Sequence, residues 1–475
     1  MATQMSAKNR SDNQGASVAV DVGGTFTDIT LVDRAAGTLW AAKTPSTPSD
    51  PSIGFITGIR KVLERAGMER DDVTHVFHGT TVATNAILEM KGARAALLTT
   101  AGFRHVLEIG RHDIPRRANM YSWVKPARPV PPERILEIPE RIDGRGNELT
   151  PLDESAVRAA ARRIKADGIG AIAVCFLHSY ANPAHERRAM KVVLEEFPQA
   201  MVSLSSEVLP VFREYERSMA TILNVYVMPV IATYVARLEE RLRADGIGSN
   251  LLLMKSSGGV TGVDTVRRRP VHTALSGPAA GVIGAVHIAR QGGFSNIISV
   301  DIGGTSADIC LVKDGVPDVT TEGRVGEWPL SLPMIDINTV GAGGGSIARV
   351  TPSGALTVGP DSAGADPGPV CYRRGGTEPT VTDAYLVLGY LPPYLLQGEV
   401  LLDTVAAEAA IREKIARPLV MDVYEAANGI IAVANNNMVG AIRVVSVERG
   451  HDPKDFALIA FGGAGPYMRR RSRAC

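Results

Sequence analysis

The chain has 475 residues, too many for one ordinary domain, so two or three are expected. Hydrophobic residues make up 45% and charged residues 21%, the balance of a soluble globular protein, and a formal net charge of +1 gives no electrostatic reason to expect nucleic acid or a membrane surface as partner. The four cysteines, Cys175, Cys310, Cys371 and Cys475, lie far apart with no C-x-x-C pair, which suggests neither a disulfide frame nor a zinc knuckle and fits a reducing cytoplasm.

In chain order, MATQMSAKNRSDNQGAS lacks an apolar h-region and reads as a disordered tail over residues 1–17. No apolar run approaches the length of a membrane span. Residues 18–22 and 29–32 read as strands of a hairpin turning at Gly23-Gly24. A helix is predicted over 53–66 and a strand over 73–77, before HGTTVATNAILE, a turn opening a helix. Residues 95–99 read as a strand, and 111–139, rich in Pro and Arg, as an extended excursion. Residues 153–166 form an amphipathic helix capped by Asp153, followed by a buried strand at 171–177. A second helix starts at Asn182-Pro183 and runs to about 196. This alternation predicts a mixed or parallel sheet covered by helices. From 215 to 244 the pattern is helical, interrupted near Pro229; a strand at 251–254 and a helix of small residues at 276–290 follow.

At an offset of 280 the opening hairpin recurs: VAVDVGGTFTDITLV at 18–32 and ISVDIGGTSADICLV at 298–312 share nine of fifteen positions, including both Asp residues, both Gly and the Thr. Two related halves are expected, divided near residues 200–215. A Gly-Gly-Thr turn presents backbone N–H groups with no side chain in the way, a cradle for phosphate oxygens. An Asp at the first strand's end stands at its rim, where it can hold Mg²⁺ through water. Two such turns facing across a cleft would grip a triphosphate and supply the positioning and charge neutralisation of phosphoryl transfer. The alternative is a pair of tight hairpins with Asp capping each turn, which does not by itself demand that the second Asp recur. No G-x-x-x-x-G-K-[ST] loop is present.

Glycines after apolar stretches in INTVGAGGGSIARV, including Gly343 and Gly344, and in FALIAFGGAGP, including Gly462 and Gly463, would let backbone approach a flat ligand such as adenosine; each also reads as an ordinary turn. DSAGADPGPVCYRRGG reads as a rigid scaffold loop with Cys371 a buried thiol. His78 either polarises a substrate carbonyl or caps the following helix or bonds backbone. The remaining histidines show no zinc spacing.

Two DxGGTxxD hairpins and a late GGAGP resemble the actin, sugar-kinase and chaperone superfamily of ATP-binding folds. More narrowly, VDVGGTFTDITLVD, HGTTVATNAILE, CFLHSYANPAHE, EYERSMATILNVYVMP, SGPAAGV, NTVGAGGGSIA and PDSAGADPGPVCY resemble the A-type subunit of the hydantoinase/oxoprolinase family, in family order from Val18 to Pro466. The resemblance implies an α/β fold with two ribonuclease-H-like halves around a nucleotide cleft: an ATPase-like half over 18–205 and a second, truncated half over 206–466. It implies ATP and Mg²⁺ as cofactors, phosphorylation of the carbonyl oxygen of a hydantoin, N-methylhydantoin or 5-oxoproline, and a B-type partner subunit that completes ring opening. By match to the superfamily motifs, Asp21 and Asp301 are the metal-side carboxylates. Gly23, Gly24, Thr25, Gly303, Gly304 and Thr305 are the phosphate clamps, and Gly462 and Gly463 the adenosine-side turn. Asp28 and Asp308 either order the hairpins or touch the metal's water.

Family chains continue with helices beyond GGAGP, whereas here YMRRRSRAC follows, so a premature end with a basic tail over 467–475 is expected. A small-molecule kinase, a ketone carboxylase subunit, a non-catalytic ATP-driven clamp and an inactive fragment stand as alternatives.

Overall fold

The two glycine-turn segments fold as the hairpins that their alternating apolar residues require. The computed structural model describes residues 15–23, 26–47, 50–111, 119–395 and 398–467. The calls on Gly24, Thr25, the initial tail to residue 14 and the basic residues from 468 onward lie outside them.

Strands β1 (Ala16–Val22) and β2 (Phe26–Asp33) pair antiparallel, and β3 (Thr38–Pro45) extends the pair. Helix α1 (Pro51–Ala66) is capped by the Asp50 carboxylate, which accepts from the Ser52 N–H, and closes at left-handed Gly67. Its apolar face, with Phe55 and Ile59 fully buried, lies on Ile29 and Leu31, and such burial contributes about 1.5–3 kcal/mol per side chain. The chain then returns as β4 (Val73–Thr80), parallel to β1 and longer than predicted. Strands β5 (Ala95–Thr100), β6 (Ile135–Ile138), β7 (Ala171–Cys175) and β8 (Met201–Leu204) form a separate all-parallel sheet in the order β8-β7-β5-β6. β7 is buried along its whole length, as its unbroken apolar run requires of a central parallel strand. Asp153 caps the helix Glu154–Ala166 as predicted, accepting from the Ala156 N–H.

Helix α2 (Glu214–Ala244) runs without the break expected at Pro229. Residues 217–227 are buried without a break, so tertiary packing holds the helix through the one donor that Pro229 lacks. α2 and the helical stretch Val423–Arg449 are both long and apolar enough to cross a membrane, contrary to the sequence expectation. In α2 most of that apolar length lies inside the protein, packed on β7, β8 and α1.

Strands β9 (Asn250–Met254) and β10 (Val260–Gly262) join the first sheet, whose order is β10-β9-β4-β1-β2-β3. The expected division at 205/206 therefore does not follow strand pairing, because segments as late as Gly262 belong to the sheet that begins at Ala16. After α3 (Ser276–Gln291), the second hairpin pairs β11 (Ile297–Ile302) with β12 (Ala307–Lys313), flanked by β13 (Val316–Pro317) and β14 (Asn338–Val340). Helices α4 (Val381–Val387) and α5 (Val423–Val445) cover this sheet, with Ile430, Ile431 and Ala434 of α5 in one core with Ile298, Val300 and Ile309. β15 (Ala457–Phe461) then adds parallel to β11, giving the order β13-β12-β11-β15. In each sheet the hairpin's first strand is flanked by its antiparallel partner on one side and by a later parallel strand on the other. α3 touches β4 and β9 on one side and β11 and β12 on the other, joining the sheets.

Candidate functional site

The duplication extends beyond the motif into strand register. Asp21 stands opposite Asp28 in the first hairpin, and Asp301 opposite Asp308 in the second. One strand further out, Lys43 aligns with Asp28 and Thr339 with Asp308. The Lys43 ammonium donates to both Asp28 oxygens at 2.8 and 2.9 Å, and the Thr339 hydroxyl donates to Asp308 at 2.5 Å. The turns close alike: Gly23 N–H donates to Phe26 O at 3.1 Å and Gly303 N–H to Ser306 O at 2.9 Å.

The two acidic rows meet across α3. A Cβ placed on Gly277 would lie 3.8 Å from Asp21 Oδ1, and one on Gly281 would lie 3.6 Å from Asp301 Oδ2. Their charges are coupled. Burial, then Asp28, pushes Asp21 up to about 6, with Lys43 pulling it down. Burial, then Asp308, Asp21 and Asp28, pushes Asp301 up to about 6. Asp21 remains open to solvent by area, so crowding by the surrounding walls, rather than enclosure, thins its hydration. Burial also raises Asp308, against the Thr339 hydrogen bond. Among the described residues no group of three or more His, Cys, Asp or Glu is gathered to ligate a metal directly. Two carboxylates that resist ionising together nevertheless fit a hydrated divalent cation, which relieves their repulsion through bound water.

Beside this acidic centre lies a cleft of about 310 Å³. Phe26 and Lys43 of the first sheet line it together with Gly303, Gly304, Gly344, Gly345 and Gly463 of the second half. Its far end is apolar, walled by Tyr372, Tyr385, Leu391, Leu395 and Tyr467. The glycine identities are dictated by close backbone approach. Gly344 N–H donates to Gly303 O at 3.0 Å and Gly345 N–H to Gly304 O at 2.5 Å, while a Cβ on Gly343 would come within 2.8 Å of both carbonyl oxygens. Gly462, at φ +82°, leaves no room for a methyl beside the Asp301 carboxylate.

Not every predicted residue lines the cleft. Gly303, Gly304, Gly344 and Gly463 do; Gly343 and Gly462 stand behind the wall, where they seat the turn of the second hairpin. Gly23, Thr305 and the four aspartates are outside the lining. His78 corrects the substrate-polarising expectation. It is fully buried, its Nδ1 lies 3.0 Å from Val20 O and its Nε2 2.7 Å from the Tyr234 hydroxyl, and burial pushes it down to about 4. Its role is to tie α2 to the strand that carries Asp21. Cys371 is a fully buried thiol, pushed up by burial. Sequence reasoning missed Lys43 and Tyr385; the β2–β3 register that brings Lys43 to Asp28 was its one available signal.

Paired glycine turns and coupled carboxylates between two α/β sheets define a class of phosphate-handling proteins. Two family profiles match the chain: Hydantoinase/oxoprolinase N-terminal region over residues 17–197 and Hydantoinase/oxoprolinase over 217–471. The chain belongs to the hydantoinase/oxoprolinase family. It is 41% identical over 455 residues to the caprolactamase subunit alpha of Pseudomonas jessenii, covering 94% of this chain and 65% of that one. It is 34% identical to 5-oxoprolinase 1 of Arabidopsis thaliana, over 94% of this chain and 38% of that one. The solved ATP-dependent caprolactamase superposes with a TM-score of 0.83 at 40% identity, over 96% of this chain and 67% of that one. Nucleotide-free acetone carboxylase superposes with a TM-score of 0.81 at 30% identity, over 97% and 67%. The chain thus spans about two thirds of the caprolactamase subunit and little over a third of the plant oxoprolinase.

Proposed function

We propose that the chain is the ATP-using part of an enzyme that opens a cyclic amide (a hydantoin, N-methylhydantoin or 5-oxoproline) by phosphorylating its carbonyl oxygen, with a B-type partner subunit completing hydrolysis in the cytoplasm. The observation that carries the reading is the convergence of both hairpins: Asp301 responds to the charges of Asp21 and Asp28 from the other sheet, and Phe26 and Lys43 share a cleft with Gly303 and Gly304. The names of the relatives, an ATP-dependent caprolactamase among them, support it.

For the architecture we propose two ribonuclease-H-like halves of the actin and sugar-kinase type. The matching strand orders β3-β2-β1-β4 and β13-β12-β11-β15 support this, with the first half taking in strands as late as Gly262.

In the proposed reaction the turns at Gly23–Thr25 and Gly303–Thr305 cradle the phosphates with backbone N–H groups, aided by Gly344 and Gly463 on the cleft wall. Asp21 and Asp301 hold the hydration shell of Mg²⁺, which supplies neutralisation of the triphosphate charge when bound. Asp28 keeps Lys43 at the rim, and Thr339 fixes Asp308 so that it orders the second hairpin. The amide oxygen forms its bond to the γ-phosphorus as the bond from that phosphorus to the ADP oxygen breaks, leaving an imidate-like phosphate. Water then attacks the activated carbon, phosphate leaves with the oxygen, and the ring C–N bond opens. An amide oxygen is a weak nucleophile, so alignment and electrostatic stabilisation carry the step.

A ketone carboxylase subunit is the second reading, favoured by the acetone carboxylase superposition. It shares the phosphorylation and differs in the electrophile that is taken up afterwards. The test is to co-express the chain with a B-type subunit and follow ADP release over lactams, hydantoins and ketones with bicarbonate. Ring-opened product with ADP and phosphate supports the first reading. A stable phosphoester points to a kinase, and turnover indifferent to every substrate points to a clamp.

A further inference from the structure

The apolar end of the cleft holds a polar group that the fold does not use. α4 starts at a capping box in which the Thr380 side chain accepts from the Asp383 N–H and the Asp383 carboxylate accepts from the Thr380 N–H. The same carboxylate accepts from the Cys371 N–H at 2.8 Å, so the start of α4 is locked to the Pro-rich loop. This anchoring fixes Tyr385 in the cleft wall, 2% exposed, with its ring 5.5 Å from that of Tyr467 and 6.3 Å from that of Tyr390. Its buried hydroxyl has no hydrogen-bond partner among the described residues. A buried hydroxyl without a partner is destabilising, and phenylalanine would fill the same space without that cost.

The cleft is divided in character. Gly303, Gly304, Gly344 and Gly345 expose backbone at one end, and Tyr372, Leu391, Leu395 and Tyr467 make the other end flat and apolar. A ligand that fits both ends carries phosphates on one side and a planar ring with a polar edge on the other. Burial raises the Tyr385 phenol, so its proton stays on oxygen and the group can donate as well as accept.

We propose that Tyr385 hydrogen-bonds the edge of a nucleobase and is the residue by which the cleft takes a nucleoside triphosphate in preference to bare polyphosphate. The proposal rests on the nucleotide reading given above and adds the orientation, with the base toward α4 and the phosphates toward the second glycine turn.

The test compares the full chain with its Tyr385→Phe variant by calorimetric titration with ATP and with inorganic tripolyphosphate, both with Mg²⁺, alongside the melting temperature without ligand. ATP affinity is expected to fall about tenfold, the value of one hydrogen bond, while tripolyphosphate affinity stays unchanged. The ligand-free variant melts at the same temperature or higher, because the unused hydroxyl is gone. A residue that merely supports the fold would lower melting and weaken both ligands together, which overturns the proposal. Equal ATP affinity in the two proteins also overturns it. If the unaltered chain binds neither ligand, the nucleotide reading itself falls.

Discussion

Gly277 and Gly281 stand one turn apart on α3, the first beside the Asp21 carboxylate and the second beside that of Asp301. One helix thus carries both acidic strand ends at a spacing set by its own pitch, about 6 Å along the axis. A glycine in a helix interior is destabilising by roughly 0.5–1 kcal/mol relative to alanine, so two of them facing carboxylates mark places where backbone must come close.

Alanine substitutions along α3 separate that role from propensity. Gly284, exposed and with nothing near its missing Cβ, is expected to gain about 0.5–1 kcal/mol as Gly284→Ala. A methyl on Gly281 would approach the Phe461 ring at 2.8 Å and crowd Asp301, so Gly281→Ala should lose stability or nucleotide response. Melting curves of the two variants, with and without Mg²⁺ and ATP, give the comparison; equal gains would remove the packing argument.

Asp301→Asn is expected to cut ADP release at least about a hundredfold by loosening cation placement, with little change in melting of the free protein. Unchanged turnover would discard the metal-side role.

The raised carboxylates set a pH signature. Asp21 and Asp301 at about 6 stay protonated where the unfolded chain, with ordinary carboxylates near ~4, has released its protons. Their contribution to stability therefore falls as pH rises from about 4 to about 6. A cation needs both groups ionised, so the melting shift produced by Mg²⁺ and ATP should widen across that interval. Lys43→Met removes the charge that pulls Asp21 down, and the widening should move to higher pH. A ligand shift that is flat between pH 5 and 7.5 contradicts this account.

His78 acts in the opposite sense. Buried and held at about 4, it stays neutral while an unfolded histidine, near ~6.5, takes a proton. Stability from this group is full above pH 6.5 and is lost as pH falls toward 4, by on the order of 3 kcal/mol in total. His78→Gln should flatten the acid limb of the profile by one proton, measured as the slope of unfolding free energy against pH. An unaltered slope would show that His78 is not the titrating group.

The hairpins were legible because their chemistry is local: alternating apolar residues, a glycine turn, and repeated acids within fifteen residues. Capping by Asp153 was legible for the same reason. What escaped depends on distant packing. α2 passes Pro229 because its flanks are buried, a fact held by other segments of the chain. β9 and β10 join the first sheet although they follow the long helix, since parallel pairing carries no turn to announce it. Lys43 reached the cleft through β2–β3 register, and Tyr385 through a helix whose start is tied to the Cys371 loop. His78 looked catalytic beside a Gly-Thr-Thr turn, yet strand alternation sends it into the interior.

The pairing of β15 with β11 has a consequence for how the protein is made. Ile297 aligns with Ala457, 160 positions later (457 − 297). At ribosomal speeds of about 5–20 residues per second, the β11 edge waits roughly 8–30 s for its neighbour to be synthesised. The first sheet, complete by Gly262, can settle during that delay, whereas the glycine turn beside Asp301 gains its backing only when the Gly462 bend emerges. A nascent chain stalled in between would display a bare apolar strand, the kind of surface on which chaperones act.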